Sequence, residues 1–211
     1  MHDTLGLYLL MPGTEALGPY RRFAIWTQGC PRQCPGCMSP ESRNPEDGVL
    51  IKINDLIQQI TATPEIEGLT ISGGEPFLQA GALGELIRQV RRNRDLGVII
   101  YTGFQLEELQ SKAGKGEGEI GELLGLCDLL IDGPYIEKLN DGLSLRGSSN
   151  QRIHALTGRY ASLISQYYGV PNRKVELHLN QNDLVLVGIP GQSALTAWRA
   201  KNQKWEVKNE W

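Results

Sequence analysis

Three cysteines within eight consecutive positions are the residues of this sequence best suited to chemistry. Cys30, Cys34 and Cys37 have three and then two residues between them, and two prolines and a glycine tighten the loop. Thiolates at such short spacing can wrap one face of a compact metal centre. Four thiolates would saturate a 4Fe–4S cluster. Three leave one iron open to an exogenous ligand, which is the mark of a catalytic rather than a structural metal site.

A structural zinc site is the weaker alternative for these cysteines. A zinc ribbon needs a second pair of cysteine or histidine ligands, whereas His2, His154 and His178 are scattered along the chain. The fourth cysteine, Cys127, is far downstream at the start of a predicted strand. We expect Cys127 to have a buried, apolar role.

A second segment with chemical potential follows a predicted strand. Ser72, Gly73, Gly74 and Glu75 precede Pro76. Two adjacent glycines allow the backbone to approach a ligand closely. Their carbonyls, together with the Glu75 carboxylate, can accept hydrogen bonds from an ammonium group.

Alternating strand and helix patterns predict the framework that positions both segments. Asn54 is expected to be the N-cap of the first helix. Strand–helix alternation implies right-handed crossovers and a mainly parallel sheet with helices outside. The units are too few for a closed eight-stranded barrel, so we predict an α/β fold that is an open, partial parallel β/α barrel. The predicted elements, in chain order, are strand 23–27, helix 54–60, strand 68–72, helix 83–90, strand 98–101, helices 106–109 and 120–124, strand 129–131, strand 149–154 and a helix face at 160–167.

The unusual segments follow predicted strands, apart from residues 146–150, which we add to the same group. Ligand sites in such sheets form at the carboxyl ends of the strands. We therefore expect one pocket to gather the cysteine loop, residues 73–76, Thr102 with Gly103, Asp132 with Gly133, and residues 146–150.

The C-terminal part has a different pattern. Alternating apolar residues on both sides of a turn at 180–183 predict a small β-hairpin extension. The last segment, 198–211, is polar apart from Trp198, Trp205, Val207 and Trp211. We expect a partial-barrel domain over 1–170, and a hairpin and tail over 171–211 that pack on it. A partner-binding tail is the alternative.

Composition limits the functional classes. The chain has 211 residues, of which 40% are hydrophobic, and a net charge of −3. A chain with this net negative charge lacks the basic surface that is typical of nucleic-acid-binding proteins. We interpret the basic run 88–94 as a solvated helix cap. No apolar stretch approaches the length of a membrane helix, and the N-terminus lacks the basic region of a signal peptide. We therefore expect a cytoplasmic protein without membrane partners.

The cysteine spacing resembles that of the radical S-adenosylmethionine (SAM) superfamily, and the Gly-Gly-Glu-Pro segment resembles the SAM-binding motif of the same superfamily. Further segments are similar to the activating enzymes of glycyl-radical proteins, most of all to those of anaerobic ribonucleotide reductase. The likeness covers roughly residues 18–155 and rests on residues 18–21, 28–30, 35–42, 132–135 and 145–152.

The resemblance implies a mechanism and its cofactors, one 4Fe–4S cluster and SAM. SAM would chelate the open iron, and the reduced cluster would pass one electron to the sulfonium. Homolysis would give methionine and a 5′-deoxyadenosyl radical that abstracts a hydrogen atom. The implied partners are a glycyl-radical enzyme, or another protein or peptide, and an electron donor such as flavodoxin or ferredoxin. Two alternatives stay open: a radical SAM enzyme acting on a peptide or purine-like molecule, and a non-catalytic metal-binding interaction module.

The resemblance also implies residue roles. Cys30, Cys34 and Cys37 would bind iron. Asp132 and Thr102 would face the SAM methionine or ribose, or a cation, although Asp132 also fits a simple turn residue. Residues 146–150 would contact SAM or the partner, with a polar turn as the alternative. The remaining predicted contacts are Ser72, Gly73, Gly74 and Glu75 toward the SAM ammonium, the backbone of Gly36, Cys37 and Met38 toward adenine, and Arg146, Ser148 and Asn150 within that last segment.

Overall fold

A seven-stranded sheet forms the centre of the protein. The computed structural model describes residues 3–171, 173–180 and 183–202. Within these residues no helix is both long and apolar enough to cross a membrane. The strands of the sheet are β1 Thr4–Thr14, β2 Arg22–Thr27, β3 Val49–Lys52, β4 Gly68–Gly73, β5 Gly97–Tyr101, β6 Leu129–Asp132 and β7 Arg152–Ala155.

The four central strands are parallel, as the sequence predicts. The order across the sheet is β3-β1-β2-β4-β5-β6-β7, and β2, β4, β5 and β6 run in the same direction. β1, β3 and β7 join through antiparallel pairings at the two sides. In the described part of the chain the sheet therefore stays open and does not close into a barrel. The apolar runs of β5 and β6 are buried almost throughout, as expected for parallel strands covered on both faces.

The N-terminal strands were not predicted. Residues 5–11 form an apolar run, and they lie inside the eleven-residue strand β1. β1 pairs with β2 on one side and with β3 on the other. An antiparallel strand of this kind extends the sheet without a crossover helix, so the alternating pattern did not reveal it.

Helices cover the sheet. Leu83, Leu86, Ile87 and Val90 are buried, which confirms the predicted apolar face of the second helix. The prediction that Asn54 is the N-cap of the first helix is wrong, because this helix begins at Ile53 and Asn54 lies inside it. The helices of this region are α1 Ile53–Ala62, α2 Ala80–Asn93, α3 Leu106–Gly114, α4 Gly118–Leu126 and the single turn α5 Ile164–Tyr167.

Two arginines of the basic run at the end of α2 bind neighbouring groups. Arg91 lies 2.6 Å from the Asp128 carboxylate. Arg94 donates to the backbone carbonyls of Thr63, at 2.7 Å, and Ile66, at 3.0 Å. Arg91 and Arg94 thus connect the end of α2 to neighbouring loops. Arg92 is exposed and Arg88 pairs at the surface, so the interpretation as a solvated cap holds for these two residues of the run.

The C-terminal hairpin is present as predicted. β8 Val175–Asn180 pairs antiparallel with β9 Asp183–Gly188, and helix α6 Gln192–Asn202 follows. Val187 is buried and packs in a cluster with Trp26. The predicted positions Trp205, Val207 and Trp211 of the tail lie outside the described residues.

Arg22 is a fully buried cation that connects three strands, and we expect its loss to be costly. Its guanidinium binds the Glu67 carboxylate at 2.8 Å, the Tyr160 hydroxyl at 3.0 Å and the Leu69 carbonyl at 2.6 Å. Removing one partner of a buried ion pair leaves the remaining charged and polar groups without their binding partner. Arg22→Ala should lower the free energy of unfolding by about 4 kcal/mol in urea denaturation. Arg88→Ala is the surface control and should cost less than about 1 kcal/mol.

Candidate functional site

One open cavity lies at the carboxyl ends of the parallel strands. Residues of β2, β4 and β5 and the residue after β6 reach it, which confirms the predicted convergence of these strand ends. Its lining residues are Leu17, Trp26, Cys30, Arg32, Cys34, Cys37, Met38, Ser39, Ser42, Arg43, Ser72, Gly73, Gly74, Glu75, Tyr101, Thr102, Gly103, Gly133, Tyr135, Gly147, Gln151, Gly188 and Ile189.

The three clustered cysteines are free thiols on this cavity. Cys30, Cys34 and Cys37 are half-buried, and each lines the cavity wall. Burial raises the pKa of the Cys30 thiol, and a backbone hydrogen bond at Arg32 opposes that shift. Among the described residues, no three histidine, cysteine, aspartate or glutamate side chains form a group that could hold a single metal ion.

Backbone hydrogen bonds connect the glycine pair directly to the cysteine loop. The Gly74 N–H donates to the Thr27 carbonyl, and the Glu75 N–H donates to the Gly29 carbonyl, both at 2.8 Å. A Cβ added at Gly74 would lie 2.2 Å from the Gly29 carbonyl oxygen. Only glycine fits at this crossing, because the neighbouring atoms belong to the backbone.

Glu75 joins the ends of β4 and β5. Its carboxylate accepts hydrogen bonds from the Thr102 hydroxyl and the Gly103 N–H, both at 2.8 Å, and from the Phe77 N–H at 3.1 Å. Burial raises the pKa of Glu75, although these donors and the nearby Arg32 act in the opposite direction. Glu75 and Thr102 therefore form an internal support of the cavity wall, and their contact with SAM stays a prediction.

The predicted adenine-facing residues divide into two groups. Cys37 and Met38 line the cavity, and Gly36 is not among its lining residues. The Gly36 and Cys37 carbonyls instead accept hydrogen bonds from Arg199 of α6. Ser72, at the end of β4, does line the cavity.

Asp132 is not among the lining residues, and its contact with SAM stays a prediction. Its carboxylate is fully buried and accepts a hydrogen bond from the Leu106 N–H, at 2.7 Å, at the start of α3. It also pairs with Arg152, and His154 lies 3.1 Å away. Burial acts to raise the pKa of Asp132, but the hydrogen bonds outweigh it and the pKa lies below its usual value. The side chain thus fixes helix α3 to the sheet.

Asp132→Asn tests this structural assignment. The amide keeps the shape but loses charge-assisted bonds, so the free energy of unfolding should fall by about 2 kcal/mol. The dissociation constant for SAM should stay within about twofold of the wild-type value, because the carboxylate does not reach the cavity. Urea denaturation and a SAM titration measure the two quantities. Weakened SAM binding at unchanged stability would contradict the assignment.

The segment 146–150 reaches the cavity through residues other than those predicted. Arg146, Ser148 and Asn150 are absent from the lining, while Gly147 and Gln151 belong to it. Arg146 pairs with Asp141, the Ser148 hydroxyl accepts from the Ile136 N–H, and the Asn150 amide donates to the Pro134 carbonyl. These three side chains therefore hold the loop in shape.

Two arginines on the cavity were missed from the sequence. Arg32 lies between the first two cysteines, and Arg43 donates to the Cys34 carbonyl at 2.7 Å. The Nε atoms of both are buried and have no hydrogen-bond partner among the described residues. Buried guanidinium donors of this kind suit a carboxylate. Their positions close to the cysteines in the sequence could have indicated that these two arginines reach the cavity.

The residues around the cavity fit a cluster with a bound SAM. Three free thiols line the cavity as candidate iron ligands, and Gly73 and Gly74 line the same cavity. The Nε atoms of Arg32 and Arg43, which have no partner among the described residues, can meet a carboxylate. These features come from three different segments of the chain, so their meeting at one cavity is informative.

Comparisons with known proteins agree with this chemistry. A family model described as a 4Fe–4S single cluster domain matches residues 16–154. The anaerobic ribonucleoside-triphosphate reductase-activating protein of Escherichia coli K12 is 28% identical over 154 residues, which cover 66% of this chain and 91% of that protein. The protein of the same name from Vibrio cholerae is 30% identical with the same coverage. The pyruvate formate-lyase-activating enzyme of Staphylococcus epidermidis is 32% identical over 82 residues, 36% of this chain and 33% of the relative.

Proposed function

Because this chain belongs to the family of 4Fe–4S single cluster domains, we propose that it is a radical SAM enzyme whose cluster is held by Cys30, Cys34 and Cys37. The observation that carries the proposal is the shared cavity. Three free thiols line the same cavity as Gly73 and Gly74. A bound cluster would supply one electron to the sulfonium of SAM, which divides into methionine and a 5′-deoxyadenosyl radical.

The chain's own residues orient and protect this chemistry. Gly73 and Gly74 present backbone carbonyls to the SAM ammonium, and the unpaired Nε atoms of Arg32 and Arg43 attract its carboxylate. The backbone at Met38 lies toward the adenine. Trp26 and Ile189 provide apolar walls that exclude water. Glu75 and Thr102 hold the strand ends that carry these groups.

The proposed radical acceptor is a glycine of a glycyl-radical enzyme of the anaerobic ribonucleotide reductase type. The names of the Escherichia coli and Vibrio cholerae relatives support this acceptor, since the chain spans 91% of each. The 5′-deoxyadenosyl radical would take one hydrogen atom from the glycine α-carbon. This transfer leaves 5′-deoxyadenosine and a carbon-centred radical on the partner.

The fold supports the same proposal. Four parallel strands with their site at the carboxyl ends suit the open, partial barrel of radical SAM enzymes. We propose that residues 1–170 form this domain, and that 171–211 are an extension packed on it. An oxygen-sensitive cluster with a flavodoxin or ferredoxin donor suits a cytoplasmic location.

The first experiment tests the cluster and SAM cleavage. The chain is reconstituted with iron and sulfide without oxygen, reduced with dithionite and given SAM. We expect 4Fe–4S absorbance and one 5′-deoxyadenosine for each methionine formed. A protein that takes up zinc and yields no 5′-deoxyadenosine would be a metal-binding module, which would overturn the proposal.

The second experiment tests the acceptor. An anaerobic ribonucleotide reductase is added to the reduced enzyme, and the glycyl radical is followed by electron paramagnetic resonance (EPR). The matched control is a reductase whose acceptor glycine is replaced by alanine. A signal only with the intact reductase supports the proposed acceptor. SAM cleavage without a radical on the reductase would favour the alternative, a peptide or purine-like substrate.

A further inference from the structure

The C-terminal extension forms part of the site wall. Gly188 and Ile189, at the end of the hairpin, line the cavity. Ile189 packs in the same cluster as Trp26 and Met38 of the core. The match to the cluster-domain family ends at residue 154, so this part of the wall comes from a segment outside that match.

One residue of helix α6 makes direct contact with the cysteine loop. The Arg199 Nη2 atom donates to the Gly36 carbonyl at 2.9 Å and to the Cys37 carbonyl at 2.7 Å. Its Nη1 atom lies 3.5 Å from the Glu137 carboxylate. Hydrogen bonds from a charged donor are about twice as strong as neutral ones, so these two contacts hold the loop firmly.

The loop is tight at this point. Gly36 has φ +70°, and a Cβ there would lie 2.5 Å from the Glu137 carboxyl carbon. The Gly36–Cys37 segment is thus enclosed by Glu137 on one side and fixed by Arg199 through the carbonyls of both residues. The Cys34 carbonyl is held in the same way by Arg43. Two of the three cysteines therefore have a carbonyl bound by an arginine.

We propose that Arg199 is a positioning residue for the cluster, an inference that rests on the proposed function. Fixing the Gly36 and Cys37 carbonyls fixes the backbone from which the Cys37 thiolate projects. With only three thiolates, each one has a large effect on how firmly the cluster is held. The guanidinium also places a positive charge near the cluster. Because reduction adds an electron, that charge stabilises the reduced state and raises the reduction potential.

The test compares Arg199→Ala and Arg199→Lys with wild type, and uses Arg88→Ala as a control. In the described part of the chain, Arg88 pairs with Glu85 and Glu122, and it is not part of the cavity lining. All four proteins are reconstituted without oxygen. Iron loss to a chelator and the midpoint potential by EPR-monitored titration are then measured, so neither readout depends on SAM cleavage.

We expect Arg199→Ala to lose iron roughly tenfold faster or more, since the loss of even one of its two charge-assisted hydrogen bonds implies such a factor, and to have a lower potential. Arg199→Lys keeps the charge without the double contact, so its potential should stay near wild type while iron loss is intermediate. Wild-type iron retention and potential in Arg199→Ala would overturn the inference. A wild-type chain that binds no cluster would instead overturn the proposed function. If Arg199→Ala does not fold, Arg199→Met, which keeps the apolar stem but removes the charge and every donor, supplies the same comparison.

Discussion

Cys34→Ala is expected to abolish the cluster and, with it, SAM cleavage. Cys34 is the middle thiol of the three on the cavity, and two thiolates cannot hold a 4Fe–4S cluster in an open site. Iron should fall from about four atoms per chain to near zero after anaerobic reconstitution. Iron and sulfide analysis, together with the 5′-deoxyadenosine yield, measure the effect. The fold should survive, because the half-buried thiol is outside the buried core clusters.

Cys127→Ala is the matched control, since it removes the cysteine outside the loop. Cys127 is fully buried, and its thiol lies 3.2 Å from the Leu129 carbonyl. Burial raises the pKa of this thiol far above its usual range, so it is unsuited to binding a metal as thiolate. Iron content should match the wild type. Loss of the cluster in Cys127→Ala would mean that a fourth thiolate is needed and that the open-iron model is wrong.

The position of the site followed from the sequence because parallel strands bring their carboxyl ends to one edge. The cysteine loop after β2, the glycine pair ending β4, Thr102 after β5 and Gly133 after β6 all reach the cavity. Each segment was recognisable from its local sequence pattern alone. The rule that ligand sites form at the carboxyl ends of parallel strands then predicted that the segments lie together. The buried role of Cys127 followed from its position at the start of a predicted strand.

Side-chain direction could not be predicted at the strand ends. Successive residues of a strand point to opposite faces, so one position decides whether a side chain meets the cavity or a helix. Gly133 lines the cavity, while the adjacent Asp132 caps the start of α3. The contact between Arg199 and the cysteine loop could not be predicted for another reason, because 162 positions separate Arg199 from Cys37. No local periodicity reports a contact at such a separation.

Gly74→Ala should have an effect comparable to the loss of a cysteine, although Gly74 carries no reactive group. The added Cβ would lie 2.2 Å from the Gly29 carbonyl oxygen and 2.8 Å from the Ser42 carbonyl oxygen. Both atoms belong to backbone that holds the cysteine loop, because the Gly29 N–H donates to Ser42 and the Glu75 N–H donates to Gly29. Neither can move aside as a flexible side chain would.

The clash must therefore displace the loop that begins at Cys30, and with it the alignment of cluster and SAM. Overpacking of this kind typically costs about 1–3 kcal/mol of stability. SAM cleavage should fall about a hundredfold or more, since misplaced reacting groups lose rate steeply. Gly125→Ala is the control: it adds the same methyl to helix α4 with no neighbour within 4 Å, and should stabilise the chain by about 0.5–1 kcal/mol. Urea denaturation and 5′-deoxyadenosine yield measure both variants. If Gly74→Ala retains wild-type cleavage, then the glycine pair does not set the geometry between the cysteine loop and SAM.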